Sequence, residues 1–113
     1  EFELLEKQVE YSKKQAVYIL QKGKFSKITT PDGRVIVNPT GNSAMATAGM
    51  GDVLTGIITS LLAQGYSTEK ALVFACYIHG KSADELVYAS NHYTLTASQV
   101  IQQLPISFTK FVR

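Results

Sequence analysis

Gly41-Asn42-Ser43-Ala44-Met45-Ala46-Thr47-Ala48-Gly49-Met50-Gly51-Asp52 decides how the rest of this 113-residue chain is read. Small residues and three glycines run into a single aspartate. The residues after it place apolar side chains at 53, 54, 57, 58, 61 and 62, a broad helical face, so a buried helix is expected over 52–62, with Gly65 as its C-terminal stop. A helix N-terminus exposes unpaired backbone N–H groups and carries about half a positive charge. Gly49 and Gly51 let those donors approach a phosphoryl oxygen, and Thr47 can add a hydroxyl. The loop therefore reads as an anion cradle with Asp52 at its lip. It is no Walker loop, because no Lys-Ser or Lys-Thr follows Gly51 to Gly56. Leu54 also stands where a dinucleotide-binding turn needs its third glycine.

Outward from this loop, Phe2, Leu5, Val9 and Ala16 approximate a helical stripe over 2–15. Val17-Tyr18-Ile19-Leu20 is a short buried strand that ends at Lys22-Gly23. Ser26 to Thr30, Pro31-Asp32-Gly33 and Arg34 to Asn38 form a hairpin pattern. Ser67 or Thr68 caps a further helix running to about Tyr88, with Gly80 marking a close approach in its middle. A last helix over 97–104 takes Thr94 or Thr96 as cap and stops at Pro105. The order of helix, strand, hairpin and three helices contains too few strands to close an α/β sheet, so these strands are expected to form one edge of a larger one. The absence of an initiator methionine at Glu1-Phe2-Glu3 agrees with a fragment or a processed product.

Composition narrows the function classes. The net charge of +2, with 11 scattered Lys and Arg, provides no basic stripe for nucleic acid. A single cysteine, Cys76, sits in an apolar run and can build neither a disulfide framework nor a cysteine metal site, as suits a reducing cytosol. Apolar runs fall short of the roughly 18 residues that span a bilayer, so no membrane role is expected. Asp52 has two readings. It can be an ordinary helix-start residue, or it can accept the proton of an attacking hydroxyl while the loop N–H groups steady the transferred charge.

Asn38-Pro39-Thr40-Gly41-Asn42, Met45-Ala46-Thr47, Gly49, Gly51-Asp52-Val53-Leu54 and Gly56, with Leu62-Ala63-Gln64-Gly65 and Tyr77-Ile78-His79-Gly80 downstream, resemble the ADP/ATP-dependent NAD(P)H-hydrate dehydratases of the ribokinase-like superfamily. The resemblance spans nearly the whole chain. It implies an α/β, ribokinase-like three-layer fold, of which residues 1–113 are a C-terminal portion with a strand, a β-hairpin and flanking helices. It also implies a repair reaction, in which ADP or ATP with Mg²⁺ phosphorylates the hydroxyl of hydrated NADH or NADPH and phosphate is then eliminated. Carried over by position, Asp52 contacts the hydrate and acts as base. Asn42, Ser43, Ala44, Met45, Ala46, Thr47, Ala48, Gly49, Met50 and Gly51 form the nucleotide-phosphate loop, and Lys22, Gly23, Lys24, Phe25 and Ser26 line the nucleotide site. Of the two lysines, Lys22 is the stronger functional candidate; without the motif it would read as a solvated strand-end lysine. No protein metal cage is expected, since Mg²⁺ is held by phosphate oxygens and water.

Several residues depart from the family. Many relatives have Asn-Pro-Gly-Met at the start of the loop and Gly-Thr-Gly-Asp at its end, where this chain has Ser43-Ala44, Ala48 and Met50. The Pro-His-x-Gly-Glu segment of the family's first half is absent from these residues, so activity is expected to need that N-terminal half. Relatives often assemble, which makes a homo-oligomer the expectation. His79 reads as a packed helix residue and His92 as part of a surface loop. Tyr66, Phe74, Tyr77, Tyr88 and Tyr93 can in principle stack on a base, with core packing favoured for Phe74 and Tyr77. Asp84-Glu85 reads as a solvated helix pair. Two rivals share the loop: a ribokinase-like kinase of a small alcohol, and a nucleotide-binding or oligomerisation module without activity.

Overall fold

The computed structural model describes residues 2–23, 25–90 and 94–111, with the side chains of Phe2, Ser90 and Phe111 left aside. Helix α1 (Phe2–Gln15) precedes three short strands, β1 (Ile19–Gln21), β2 (Lys27–Thr29) and β3 (Val35–Val37). After a 3₁₀ turn at Ser43–Met45 come α2 (Met50–Ala63), α3 (Thr68–Ser90) and α4 (Ala97–Phe111). The strands form an antiparallel sheet in the order β1-β2-β3, with Ile28 opposite both Leu20 and Ile36.

That register puts Leu20, Ile28 and Ile36 on one face, because side chains alternate along a strand. They pack on a core built from Leu54, Ile57, Leu61, Ala71, Leu72, Ala75, Cys76 and Ile78 of α2 and α3. The opposite face carries Thr29, fully buried beneath α1. There Ser12 Oγ and Thr29 Oγ1 share a 2.6 Å hydrogen bond, and Gln8 Nε2 donates to Thr29 Oγ1 and to the Ile19 carbonyl. The layers are thus helix, sheet and helices, as a ribokinase-like α/β fold requires. Buried polar groups on the α1 side are satisfied by one another, which limits the cost of burying them.

The hairpin forms where its sequence pattern places it. Thr30 N–H donates to the Arg34 carbonyl and Gly33 N–H to the Thr30 carbonyl, closing the Pro31-Asp32-Gly33 turn. Arg34 then reaches α3 with two hydrogen bonds to the Glu69 carboxylate, at 3.0 and 2.6 Å.

Three boundaries differ from the sequence reading, the first being the start of α2, at Met50 where 52 was expected. The first strand begins at Ile19, because α1 ends through Ala16 in a left-handed conformation and Val17 N–H bonds back to the Ser12 carbonyl. Pro105 does not stop the last helix, which continues to Phe111. Ser107 Oγ and Gln103 Nε2 donate to Glu85 of α3, and Phe108 stacks edge-on with Phe74 at 5.5 Å, so tertiary contacts on both sides of the proline hold the helix through it. Its start is capped reciprocally: Gln99 N–H donates to Thr96 Oγ1 and Thr96 N–H to Gln99 Oε1. Thr96 rather than Thr94 is the cap. His92 and Tyr93 lie outside the described residues.

Candidate nucleotide-phosphate site

A second, smaller core lies directly under the glycine loop. Ala44 and Met50 are buried in it with Ala83, Leu95 and Val100, and Met45 and Val53 pack against its edge. Met50 is therefore an anchor that ties the start of α2 to α3 and α4. Its thioether does not stand in for a hydroxyl facing a ligand, and Ala44 is equally turned inward. These two residues can meet a nucleotide only through their backbone. The hydroxyl of Thr47 is also committed: it donates to the Leu95 carbonyl at 2.7 Å, while Leu95 N–H donates to the Ala44 carbonyl at 3.1 Å. This corrects the expectation of a Thr47 hydroxyl donor, since its proton clamps the loop to the segment before α4.

What the loop leaves open is its outer edge, where Ser43, Ala46, Ala48 and Gly49 are exposed and Gly51 is half-buried. Gly49 has φ of +90°, the left-handed conformation that lets the chain turn into α2 without a side-chain cap. Glycine brings no side-chain cap; Met50 N–H reaches the Thr47 carbonyl at 3.5 Å and Val53 N–H the Gly49 carbonyl at 3.1 Å, so the Gly51 and Asp52 N–H groups are the first-turn donors left without a backbone partner among the described residues. Asp52 sits in that first turn, exposed, at the rim of a groove of about 600 Å³ between α2, α3 and α4. Gly56, Ser60, Phe74, Ile101 and Leu104 line that groove farther from the loop.

Lys22 is brought to the same place from β1. A Cβ built on Gly51 would lie 2.6 Å from Lys22 Nζ, so the ammonium rests on the first turn of α2 in space that only a glycine leaves. Lys22 and Gly51 therefore meet, with Asp52 the next residue along the same turn, although 29 positions separate the lysine from Gly51 in the sequence. The rest of that segment is distributed differently. Gly23 and Phe25 are exposed, and Ser26 accepts Asn38 N–H through its carbonyl at 2.9 Å, on the sheet side of the loop. Lys24 lies outside the described residues.

Next to this cluster, His79 is only 7% exposed, and its Nε2 has no hydrogen-bond partner among the described residues. Burial, reinforced by the Lys22 charge, lowers its pKa to about 4, so at neutral pH it is an uncharged packing residue, as expected from its helical position. Burial alone pushes the Cys76 thiol up to about 11 and leaves it unreactive.

Sequence reasoning missed Asp84. Its carboxylate is half-buried against the loop, where Gly41 N–H donates to Oδ2 at 3.0 Å and Asn42 Nδ2 donates to Oδ1 at 2.7 Å. Glu85 is not a solvated partner either, since Ser107, Gln103 and Lys110 of α4 surround its carboxylate. The available signal was Gly80, one turn earlier on the same face of α3. A mid-helix glycine there admits the Thr40–Gly41 backbone, whose free N–H invites a carboxylate four residues on.

A glycine loop leading into α2, on a helix–sheet–helix layer, is the architecture of a ribokinase-like α/β fold. The fold is shared with a ribokinase-like superfamily protein of Enterococcus faecalis V583, at a TM-score of 0.82 and 33% identity over 95% of this chain and 36% of that one. A protein-family profile described as NAD(P)H-hydrate dehydratase matches residues 2–106, and this chain belongs to that family. It is 41% identical over 89% of its length to the bifunctional NAD(P)H-hydrate repair enzyme Nnr of Moorella thermoacetica, covering 19% of that protein. The ADP/ATP-dependent NAD(P)H-hydrate dehydratase of Bacillus subtilis, co-crystallised with ATP/Mg²⁺, superposes at a TM-score of 0.87 with 33% identity, over 97% of this chain and 40% of the other. The chain thus spans well under half the length of these relatives.

Proposed function

We propose that this chain supplies the phosphate-binding and proton-accepting half of a nucleotide-dependent NAD(P)H-hydrate dehydratase, with the remainder of the hydrate pocket coming from the rest of the protein. The Lys22 ammonium resting on the first turn of α2, the turn that also carries Asp52, supports this reading. Asp52 takes the proton of the hydrate hydroxyl as its oxygen bonds to the terminal phosphorus of ADP or ATP and the bond to the leaving nucleotide breaks. Backbone N–H groups of the first turn and Lys22 steady the charge spread over the transferring group. Loss of phosphate from the ring, together with a proton from the neighbouring carbon, then restores the double bond of NADH or NADPH.

Among the described residues no group of three or more His, Cys, Asp or Glu could hold a metal ion. A Mg²⁺ carried on the nucleotide's own phosphate oxygens and water fits such a site, and would neutralise charge there. Nor is any helix among the described residues long and apolar enough to cross a membrane.

The test is to supply the full-length protein with hydrated NADH and either nucleotide, following recovery of dihydronicotinamide absorbance and release of inorganic phosphate. One phosphate per cofactor restored is expected. A phosphorylated product that accumulates without phosphate release would replace this reading with that of a kinase.

A further inference from the structure

We infer that Asp84 is a positioning residue for the nucleotide loop, holding it in register from the opposite helix. The inference rests on the function proposed above. Asp84 meets the loop at two consecutive residues, taking the Gly41 N–H on one oxygen and the Asn42 side-chain amide on the other. Asn42 is itself an anchor: with its amide donating to Asp84, its Oδ1 receives Ala44 N–H at 3.0 Å and caps the 3₁₀ turn at Ser43–Met45. That turn is tied through Ala44 and Thr47 to Leu95, and Thr47 leads within two residues to Gly49 and the start of α2. A single carboxylate thus fixes the entry of the segment whose exit presents the phosphate-binding N–H groups.

The neighbouring contacts on α3 show that this is a built seam. Asn38 Nδ2 donates to the Cys76 carbonyl at 3.1 Å, and Thr40 Oγ1 donates to the Tyr77 carbonyl at 2.9 Å. Gly80 lies against Thr40 and Gly41 so closely that a Cβ would come within 2.6 Å of the Thr40 carbonyl carbon. The other contacts use neutral groups. Asp84 alone brings a charge, and hydrogen bonds to a charged acceptor are stronger and more directional than neutral ones. Losing it strands two donors at a half-buried position.

The experiment uses the full-length protein with Asp84→Ala, Asp84→Asn and, as a stability control, Glu85→Ala, which removes the adjacent carboxylate that clamps α4. In Asp84→Ala nucleotide affinity should fall about tenfold and kcat with it, while KM for the hydrated cofactor stays within about twofold. Asp84→Asn keeps one acceptor and should recover part of the loss. Glu85→Ala should lower the melting temperature with little change in nucleotide affinity. Hydrogen exchange at Gly41 and Ala44 should accelerate in Asp84→Ala and not in Glu85→Ala. Wild-type nucleotide affinity in Asp84→Ala, or an affinity loss matched by Glu85→Ala, overturns the inference. If Asp84→Ala does not fold, Asp84→Asn decides it by the same comparison. If the wild-type protein binds no nucleotide, the proposed function falls, while unaltered exchange at Gly41 would separately refute the role of Asp84.

Discussion

Replacing Gly51 by alanine separates the fold from the site, because the two respond in opposite directions. The new Cβ would lie 2.6 Å from Lys22 Nζ, whereas ordinary contact begins at 3.4 Å, so the ammonium must withdraw by at least about 0.8 Å. The lysine end is flexible and, among the described residues, no backbone atom outside the surrounding helix lies within 4 Å of that Cβ, so the fold accommodates the change easily. Alanine also favours the helix by up to about 1 kcal/mol over glycine, and melting should hold or rise slightly. The proposed nucleotide site instead loses its cation. A charge-assisted hydrogen bond contributes about 1.5–3 kcal/mol when well shielded, and solvent around the exposed Lys22 reduces this to about 1–2 kcal/mol. Nucleotide affinity should therefore fall roughly fivefold to thirtyfold. Calorimetric titration of the full-length protein with ADP and ATP reads this directly. Lys22→Met should show a similar loss, and the double variant should be little worse than either, since both remove one interaction. Undiminished binding in Gly51→Ala alongside weakened binding in Lys22→Met would refute the geometric link between these residues.

Three further outcomes follow from the packing. Gly80→Ala places a Cβ against the backbone of Thr40 and Gly41, at 2.6 and 2.8 Å, and should cost about 1–3 kcal/mol in urea unfolding; an unchanged midpoint would mean that the seam is loose. Pro105→Ala restores a missing helix donor at an exposed position and should stabilise the protein by up to about 3 kcal/mol, whereas a lower melting temperature would show that α4 needs the proline. His79 has a folded pKa of about 4 against an ordinary 6.5, so the unfolded chain binds the extra proton between those values. Its contribution is neutral above pH 6.5, and acidification toward pH 4 destabilises the fold by at most about 1.4 kcal/mol per pH unit. His79→Gln should flatten that part of the stability curve, and an identical acid response in both proteins would contradict the burial argument.

Local patterns revealed α2, the hairpin and the capped α3, because each was encoded within a dozen residues: a six-residue apolar stripe, a Pro-Asp-Gly turn, a Ser67 whose Oγ receives Lys70 N–H. Helix α4 was cut short because proline propensity is local, while the contacts of Phe108 and Ser107 that carry the helix past it reach back to α3. The loop's glycines and the helix after it were legible, but the division of its residues between core and open edge was not. Met50 and Ala44 turn inward and Thr47 bonds to Leu95 because of a second core that assembles only when α3 and α4 close over the loop. Asp84 acts across more than 40 residues of sequence, beyond any periodicity, and so looked like one of many charged helix residues.

The central claim is that Asp52 is the base of a phosphoryl transfer whose charge is held by the helix on which it sits. Asp52→Asn in the full-length protein tests it most directly, since the amide keeps the size and the first-turn position but cannot accept the proton. Nucleotide-dependent recovery of NADH from its hydrate should fall about 10²- to 10⁴-fold, with nucleotide affinity nearly unchanged. Turnover near that of the wild-type protein would contradict the account.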